Sequence, residues 1–239
     1  MLQGMSELTG TAATVVLLRD SGAGPEVLLL ERPTAGSFGG AWVFPGGRVD
    51  PGDRRSGGSE ADAALRAGIR ETQEETGLQL QPEALIPLSC WFPPDNIPRR
   101  YQTWFFAGKA PGGDIRLNPG ELLNHLWLSP EEALDRHRNG LMQLVPPTWV
   151  TLHSLRADKG ADAALARIRA SVPETYRTRP LPGYAPGTVM GWEGDAEYDG
   201  AVSDGTASDG TASDVAAPPS SARHRLMMDG THWRYERSS

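Results

Sequence analysis

The chain is poor in cysteine, in lysine and in long apolar runs. One of its 239 residues is a cysteine, Cys90, so no intrachain disulfide can form and a cysteine-rich zinc site is excluded. No apolar run approaches the roughly 18 residues that a membrane-spanning helix needs. The first ten residues hold no Lys or Arg, which argues against a secretory signal. These absences lead to the expectation of a cytoplasmic protein with no membrane partner. Lysine occurs twice, at Lys109 and Lys159, so arginine carries nearly all the positive charge. The five histidines show no zinc-ligand spacing. Glycine and proline are abundant, 28 and 20 residues, so loops must be plentiful.

The net charge of −7 is unevenly distributed. Seven acids and no base lie between Gly191 and Ala222, and the rest of the chain balances at 23 acids against 23 bases. A neutral body and an acidic segment lack the basic field that nucleic acid requires, so no nucleic-acid partner is expected. Within the acidic segment SDGTA occurs at 203–207 and again at 208–212. With no apolar content to bury, residues 193–222 are expected to be a disordered insertion.

Residues 11–19 and 26–32 are rich in Val and Leu and read as strands around an SGAGP turn. The run 41–44 ends at Pro45-Gly46-Gly47. From Ser59 the apolar spacing becomes helical, and Gly77 supplies a stop, predicting a helix over about 59–76. Strands are expected at 84–92, 101–108 and 122–128. Helices are expected after Pro130, after Pro146-Pro147 and over 161–170. The pieces 187–192 and 223–236 read as strands, the second turning at Asp229-Gly230. The organisation that follows is a flexible N-terminus (1–10), a main domain (11–140), a helical extension with one hairpin strand (141–192), the acidic insertion (193–222) and a terminal β-hairpin with tail (223–239).

The chemistry concentrates at the end of the 59–76 helix. Glu71, Glu74 and Glu75 stand at i, i+3 and i+4, on one helical face. A solvated charged face is the ordinary meaning of such a run. A hard cation such as Mg²⁺ also prefers a cluster of carboxylate oxygens, and the upstream glycines would let backbone carbonyls approach it.

At these residues the chain resembles the Nudix hydrolases, whose box reads G-x5-E-x7-R-E-U-x-E-E-x-G-U, with U a bulky aliphatic residue. The second half is matched by Arg70-Glu71-Thr72-Gln73-Glu74-Glu75-Thr76-Gly77-Leu78. The first half begins at Gly47, but the acid five residues on is Asp53, and sixteen residues rather than seven separate it from Arg70. Asp62 restores the seven-residue spacing, so both are candidates for the first acid. The resemblance implies an α/β fold, a mixed sheet flanked by helices, here with a C-terminal helical extension and β-hairpin. It also implies Mg²⁺ (or Mn²⁺) held by Gly46, Glu71, Glu74 and Glu75. Glu121, in a later loop, is a candidate fifth ligand. Glu74 is assigned as general base and Glu71 as its alternative, while Gly47, Arg70 and Gly77 have structural roles in the box.

A narrower resemblance reaches the branch of acyl-coenzyme A diphosphatases, whose box also carries an insertion. It rests on VLLLERPTAGSFGGAWVFPGGRVDPGD, WFPPDNIPRRYQTWFFAG and LVPPTWVTL. It implies a small-molecule nucleotide substrate, coenzyme A or its acyl ester. Arg99 and Arg100 would contact the ribose phosphate, and Trp91, Phe92 and the helix near Pro147 would line a groove. An ADP-ribose or NADH diphosphatase and a non-catalytic nucleotide-binding regulator are the alternatives. A homodimer is compatible with the sequence.

Overall fold

The computed structural model describes residues 8–22, 24–34, 39–118, 120–198 and 221–238. The first core element is a hairpin of β1 (Gly10–Ser21) and β2 (Gly24–Glu31), both strongly apolar. Short strands β3 (Ala41–Val43) and β4 (Gly46–Arg48) follow, with a 3₁₀ turn over Pro51–Asp53. Helix α1 (Glu60–Thr76) begins at Ser59, whose hydroxyl accepts from the Asp62 N–H, a cap worth about 1 kcal/mol. It ends at Gly77, which takes the left-handed conformation (φ 75°) and donates its N–H to the Gln73 carbonyl. Strands β5 (Leu85–Phe92), β6 (Tyr101–Lys109) and β7 (Asn124–Leu128) lead to α2 (Pro130–Arg138). Then come β8 (Gln143–Leu144), α3 (Pro146–Leu155), α4 (Ala161–Ala170), β9 (Glu174–Arg177), β10 (Arg179–Pro180), β11 (Val189–Gly191), β12 (His224–Asp229) and β13 (His232–Arg237).

The fold is α/β, as expected. A mixed sheet runs β8-β3-β2-β1-β6-β5-β9, with β4 added to β1 and β7 to β2. The pairing of β1 with β6 is parallel and long, from Gly10↔Tyr101 to Leu18↔Lys109. Because strand side chains alternate, β1 and β2 feed two separate cores. Val15, Leu17, Leu28 and Leu30 pack with Ala64 and Ala67 of α1 on one face. Val16, Leu18, Val27 and Leu29 pack on the other face with α2, α3 and α4. The second sheet, β10-β11-β12-β13, closes onto this latter core through Trp192 and Leu226. Among the described residues no helix is long and apolar enough to cross a membrane.

Two boundaries differ from the sequence reading. The acidic segment does not begin at residue 193, because Asp195 and Tyr198 are buried and residues 193–198 fold against the second sheet. Asp195 accepts from the N–H groups of His224 and Glu197, a local anchor that composition alone does not reveal. At the N-terminal end, residues 8–10 are described and Gly10 opens β1. The expectations of flexibility over 1–7 and of disorder over 199–220 fall outside the described residues. The small strands β4, β8, β9 and β10 carry no apolar alternation and were not foreseen.

Candidate active site

The inward face of α1 is made of small residues, so the helix lies close to β1. A Cβ on Gly68 would stand 3.0 Å from Val15 Cγ2. Continuing that face by turns of three and four residues brings Thr72 and then Glu75 against the sheet. Glu75 is therefore buried, 5% exposed, although it is ionisable. Its carboxylate accepts from the Gly46 N–H at 2.9 Å, and Arg32 Nη2 lies 3.8 Å away. Burial, with the nearby charges of Glu71 and Glu121, pushes its carboxyl up to about 7 despite those two favourable contacts. Glu71 is raised by burial too, against the relief given by Arg70. Glu74 faces outward, with half of its side chain exposed.

The β4 glycines are packed tightly beneath these acids. A Cβ at Gly47 would overlap the Glu71 carboxyl, and one at Gly46 (φ 152°) would overlap the β1 backbone at Ala13. The Gly46 carbonyl accepts from Arg32 Nη2 at 3.3 Å. Arg32 thus touches both the glycine and the Glu75 acid that the sequence nominated, yet sequence reasoning missed it. Its only signal was its place as the last residue of the strand read over 26–32, before Pro33.

Arg70 is the hub of the box. It donates to Asp53 (Nη2–Oδ2 3.0 Å, Nε–Oδ1 3.3 Å), to Glu71 and Glu74 (3.0 Å each) and to the Arg48 carbonyl (3.0 Å). Its hydrogen bonds to the Asp53 carboxylate hold its guanidinium above the ordinary arginine range. Of the two candidates for the first acid, it is Asp53 that pairs with Arg70. Asp53 is 6% exposed; burial would raise its carboxyl, but hydrogen bonds from Arg70 and the Asp50 N–H outweigh that and hold it low. Asp62 instead closes the capping box of α1 with Ser59. The nine extra residues therefore fall between Asp53 and the end of that cap, leaving the acid–arginine pair intact.

Glu121 is exposed on a loop pinned across the end of α1, where Arg116 and Asn118 donate to the Thr76 and Glu75 carbonyls. That places its charge within reach of Glu75. Of the two loop arginines, Arg100 is placed differently from expectation. Arg100 is 9% exposed, paired with Asp95, and donates to the Pro93 carbonyl, so it serves its own loop. Arg99 is exposed beside it. Trp91 is a core residue stacked on Tyr176 at 3.8 Å, and Arg177 covers the Phe92 ring, so neither lines an open groove. A cleft of about 520 Å³ does open beside the box, between Arg48, Arg54, Asp50 and Tyr101.

Among the described residues no three acidic, His or Cys side chains converge on one point, because Arg70 draws Glu71 and Glu74 while Gly46 holds Glu75. The donor chemistry nevertheless fits a hard cation. Glu71 and Glu75 meet a tight glycine turn, Glu74 lies on the same helix beside them, and the first two are desolvated without full compensation.

A family model for the NUDIX domain matches residues 8–147. The chain belongs to the Nudix family. Over 73 residues it is 41% identical to the m7GpppN-mRNA hydrolase NUDT17 of Xenopus laevis, covering 29% of this chain and 22% of that protein. Over 175 residues it is 28% identical to a Caenorhabditis elegans protein with the provisional name nudix hydrolase 7, covering 57% of each. The chain thus spans little more than half of one curated relative and about a fifth of the other. The crystal structure of a NUDIX hydrolase from Alicyclobacillus acidocaldarius matches with a TM-score of 0.60 at 25% identity, over 71% of this chain and 100% of that one.

Proposed function

We propose that this Nudix protein is a divalent-cation-dependent diphosphohydrolase that cleaves a diphosphate bond in a nucleoside diphosphate derivative, with coenzyme A or acyl-coenzyme A as substrate. The observation that carries the reading is the surplus of acid around Arg70: one guanidinium faces Asp53, Glu71 and Glu74, with Glu75 buried behind them. Glu71, Glu74, Glu75 and the Gly46 carbonyl would hold Mg²⁺ (or Mn²⁺), with Glu121 joining from its loop. Bound there, the cation supplies neutralisation of phosphate charge and a water of lowered pKa. Arg70 and Arg32 orient the carboxylates. Glu74, the exposed member, takes the proton of the attacking water and passes it to solvent, with Glu71 as the alternative base.

The substrate assignment rests on the lengthened box and the LVPPTWVTL segment that forms α3. With Arg100 paired to Asp95, the exposed Arg99 and Arg48 in the cleft beside the box are the contacts for the ribose phosphate of coenzyme A. The 41% identical stretch shared with an mRNA-cap hydrolase favours a second reading, a substrate with two nucleosides joined through phosphates. A panel of coenzyme A, ADP-ribose, NADH and a capped dinucleotide with Mg²⁺ separates them. The expected products are phosphopantetheine and adenosine bisphosphate from coenzyme A. Much faster cleavage of another substrate overturns the assignment.

A further inference from the structure

The face of the large sheet opposite α1 carries a second pocket, of about 250 Å³, where the β12–β13 hairpin docks on α2 and α3. The docking is specific: Thr231 Oγ1 donates to the Arg138 carbonyl at 2.9 Å, and His137 meets the Trp233 ring edge-on at 4.5 Å. The pocket floor is aromatic. His153 stacks on Trp149 (5.2 Å, 18°) and meets Tyr235 edge-on at 5.4 Å. Its rim carries three guanidinium groups, those of Arg138, Arg156 and Arg234.

These three differ in how they are satisfied. Arg138 pairs with Asp135 at 2.6 Å, and Arg234 with Glu236 at 3.2 Å. The guanidinium of Arg156, exposed at the end of α3, makes no hydrogen bond or ion pair among the described residues. The rim therefore holds one more positive charge than negative. Burial and the Arg156 charge push the His153 imidazole down to about 4, so near pH 7 it adds a neutral ring, not a cation. Aromatic surface beneath an uncompensated guanidinium suits a planar aromatic ring that bears a phosphate. The volume is just under the usual ligand range of about 300–1,000 Å³, which favours a mononucleotide over a dinucleotide.

We propose that this pocket is a second, non-catalytic site for a nucleoside monophosphate, with the phosphate on Arg156 and the base against Trp233 and Tyr235. It lies across the sheet from the box acids and its occupancy does not depend on them, so it stands apart from the proposed hydrolysis.

The test is calorimetric titration of the full-length protein with AMP in EDTA, repeated with ribose 5-phosphate and with the variants Arg156→Glu and Glu71→Gln. The expected result is saturable AMP binding that Arg156→Glu weakens at least tenfold and Glu71→Gln leaves unchanged. Ribose 5-phosphate should bind at least tenfold more weakly than AMP. The Arg156 side chain is exposed and has no partner among the described residues, so Arg156→Glu should keep its melting temperature and its Mg²⁺-dependent turnover. Equal AMP affinity in Arg156→Glu and the parent chain overturns the site. Binding lost in Glu71→Gln instead overturns it by assigning the nucleotide to the box. Equal affinity for ribose 5-phosphate overturns the aromatic seat.

Discussion

Arg70 and Arg225 each sit among acids, and the two settings have opposite consequences. Arg225 is 2% exposed, and its partner Asp195 is fully buried. Asp195 accepts from Arg225 Nε at 2.7 Å, from Arg225 Nη2, and from the His224 and Glu197 N–H groups at 2.9 Å each. The remaining Arg225 nitrogen reaches the Tyr184 hydroxyl at 2.9 Å, and Glu197 adds a contact at 3.1 Å. Burial would raise the Asp195 carboxyl, yet these donors hold it low. Every polar atom of that carboxylate is answered from within the chain. Around Arg70 the acids outnumber the donors, and Glu71 and Glu75 are raised instead. A saturated ion cluster tacks the second sheet together, whereas the acids around Arg70 are left with too few donors within the chain.

That comparison is breakable at either end. Asp195→Ala strands a buried guanidinium and should cost about 3–5 kcal/mol, lowering the melting temperature by roughly 10 °C, with Mg²⁺-dependent turnover retained below the transition. A melting temperature within a degree of the parent would remove the saturated cluster from the account. Glu75→Gln should lower turnover at least about a hundredfold, because a lost carboxylate leaves developing phosphoryl charge uncompensated. Near-normal turnover in that variant contradicts the site.

The same variant sharpens the contrast through pH. The Glu75 carboxyl titrates near 7 in the fold and near 4.5 when unfolded. The folded state therefore binds more protons between those values, and stability from this group falls as pH rises through the window. Below it both states are protonated and no penalty exists. Without metal, Glu75→Gln should thus melt a few degrees higher than the parent at pH 8, and the gap should close as pH falls below about 4. Equal melting at pH 8 indicates that Glu75 carries no burial penalty. The smallest effect separates Asp53 from Asp62. Asp53→Asn should reduce turnover about tenfold by loosening Arg70. Asp62→Ala should change turnover less than about twofold and cost about 1 kcal/mol of helix capping. A reversed order returns the first box position to Asp62.

Much of this was legible in the residues. Strand pairs, the four α-helices among the described residues and the Gly77 stop followed from apolar period and capping residues, and α4 falls on 161–170 as read. The Glu cluster was legible because i, i+3 and i+4 spacing is set by helix geometry alone. The burial of Glu75 beside an exposed Glu74 depends on which helix face meets β1, a tertiary fact. Arg32 was missed because only the pairing of β1 with β4 at Thr14↔Gly46 fixes the position of Gly46, whose carbonyl and Glu75 partner this arginine meets. Arg100 misled because a Pro-Arg-Arg loop reads the same whether its guanidinium turns outward or, as here, back to Asp95. Asp195 and Glu197 looked like part of the acidic tract because their partner, Arg225, lies about thirty residues away.

The most direct measurement is a calorimetric titration of the metal-free protein with Mn²⁺ at pH 7, in two buffers of different ionisation enthalpy. The unsaturated cluster predicts one strong site whose filling releases a fraction of a proton, because Glu75 titrates near that pH and must ionise to serve as a ligand. Glu75→Gln should bind at least about tenfold more weakly and release no proton. Equal affinity in the parent chain and the variant, with no proton released by either, would contradict the claim that the acids around Arg70 are held for a cation.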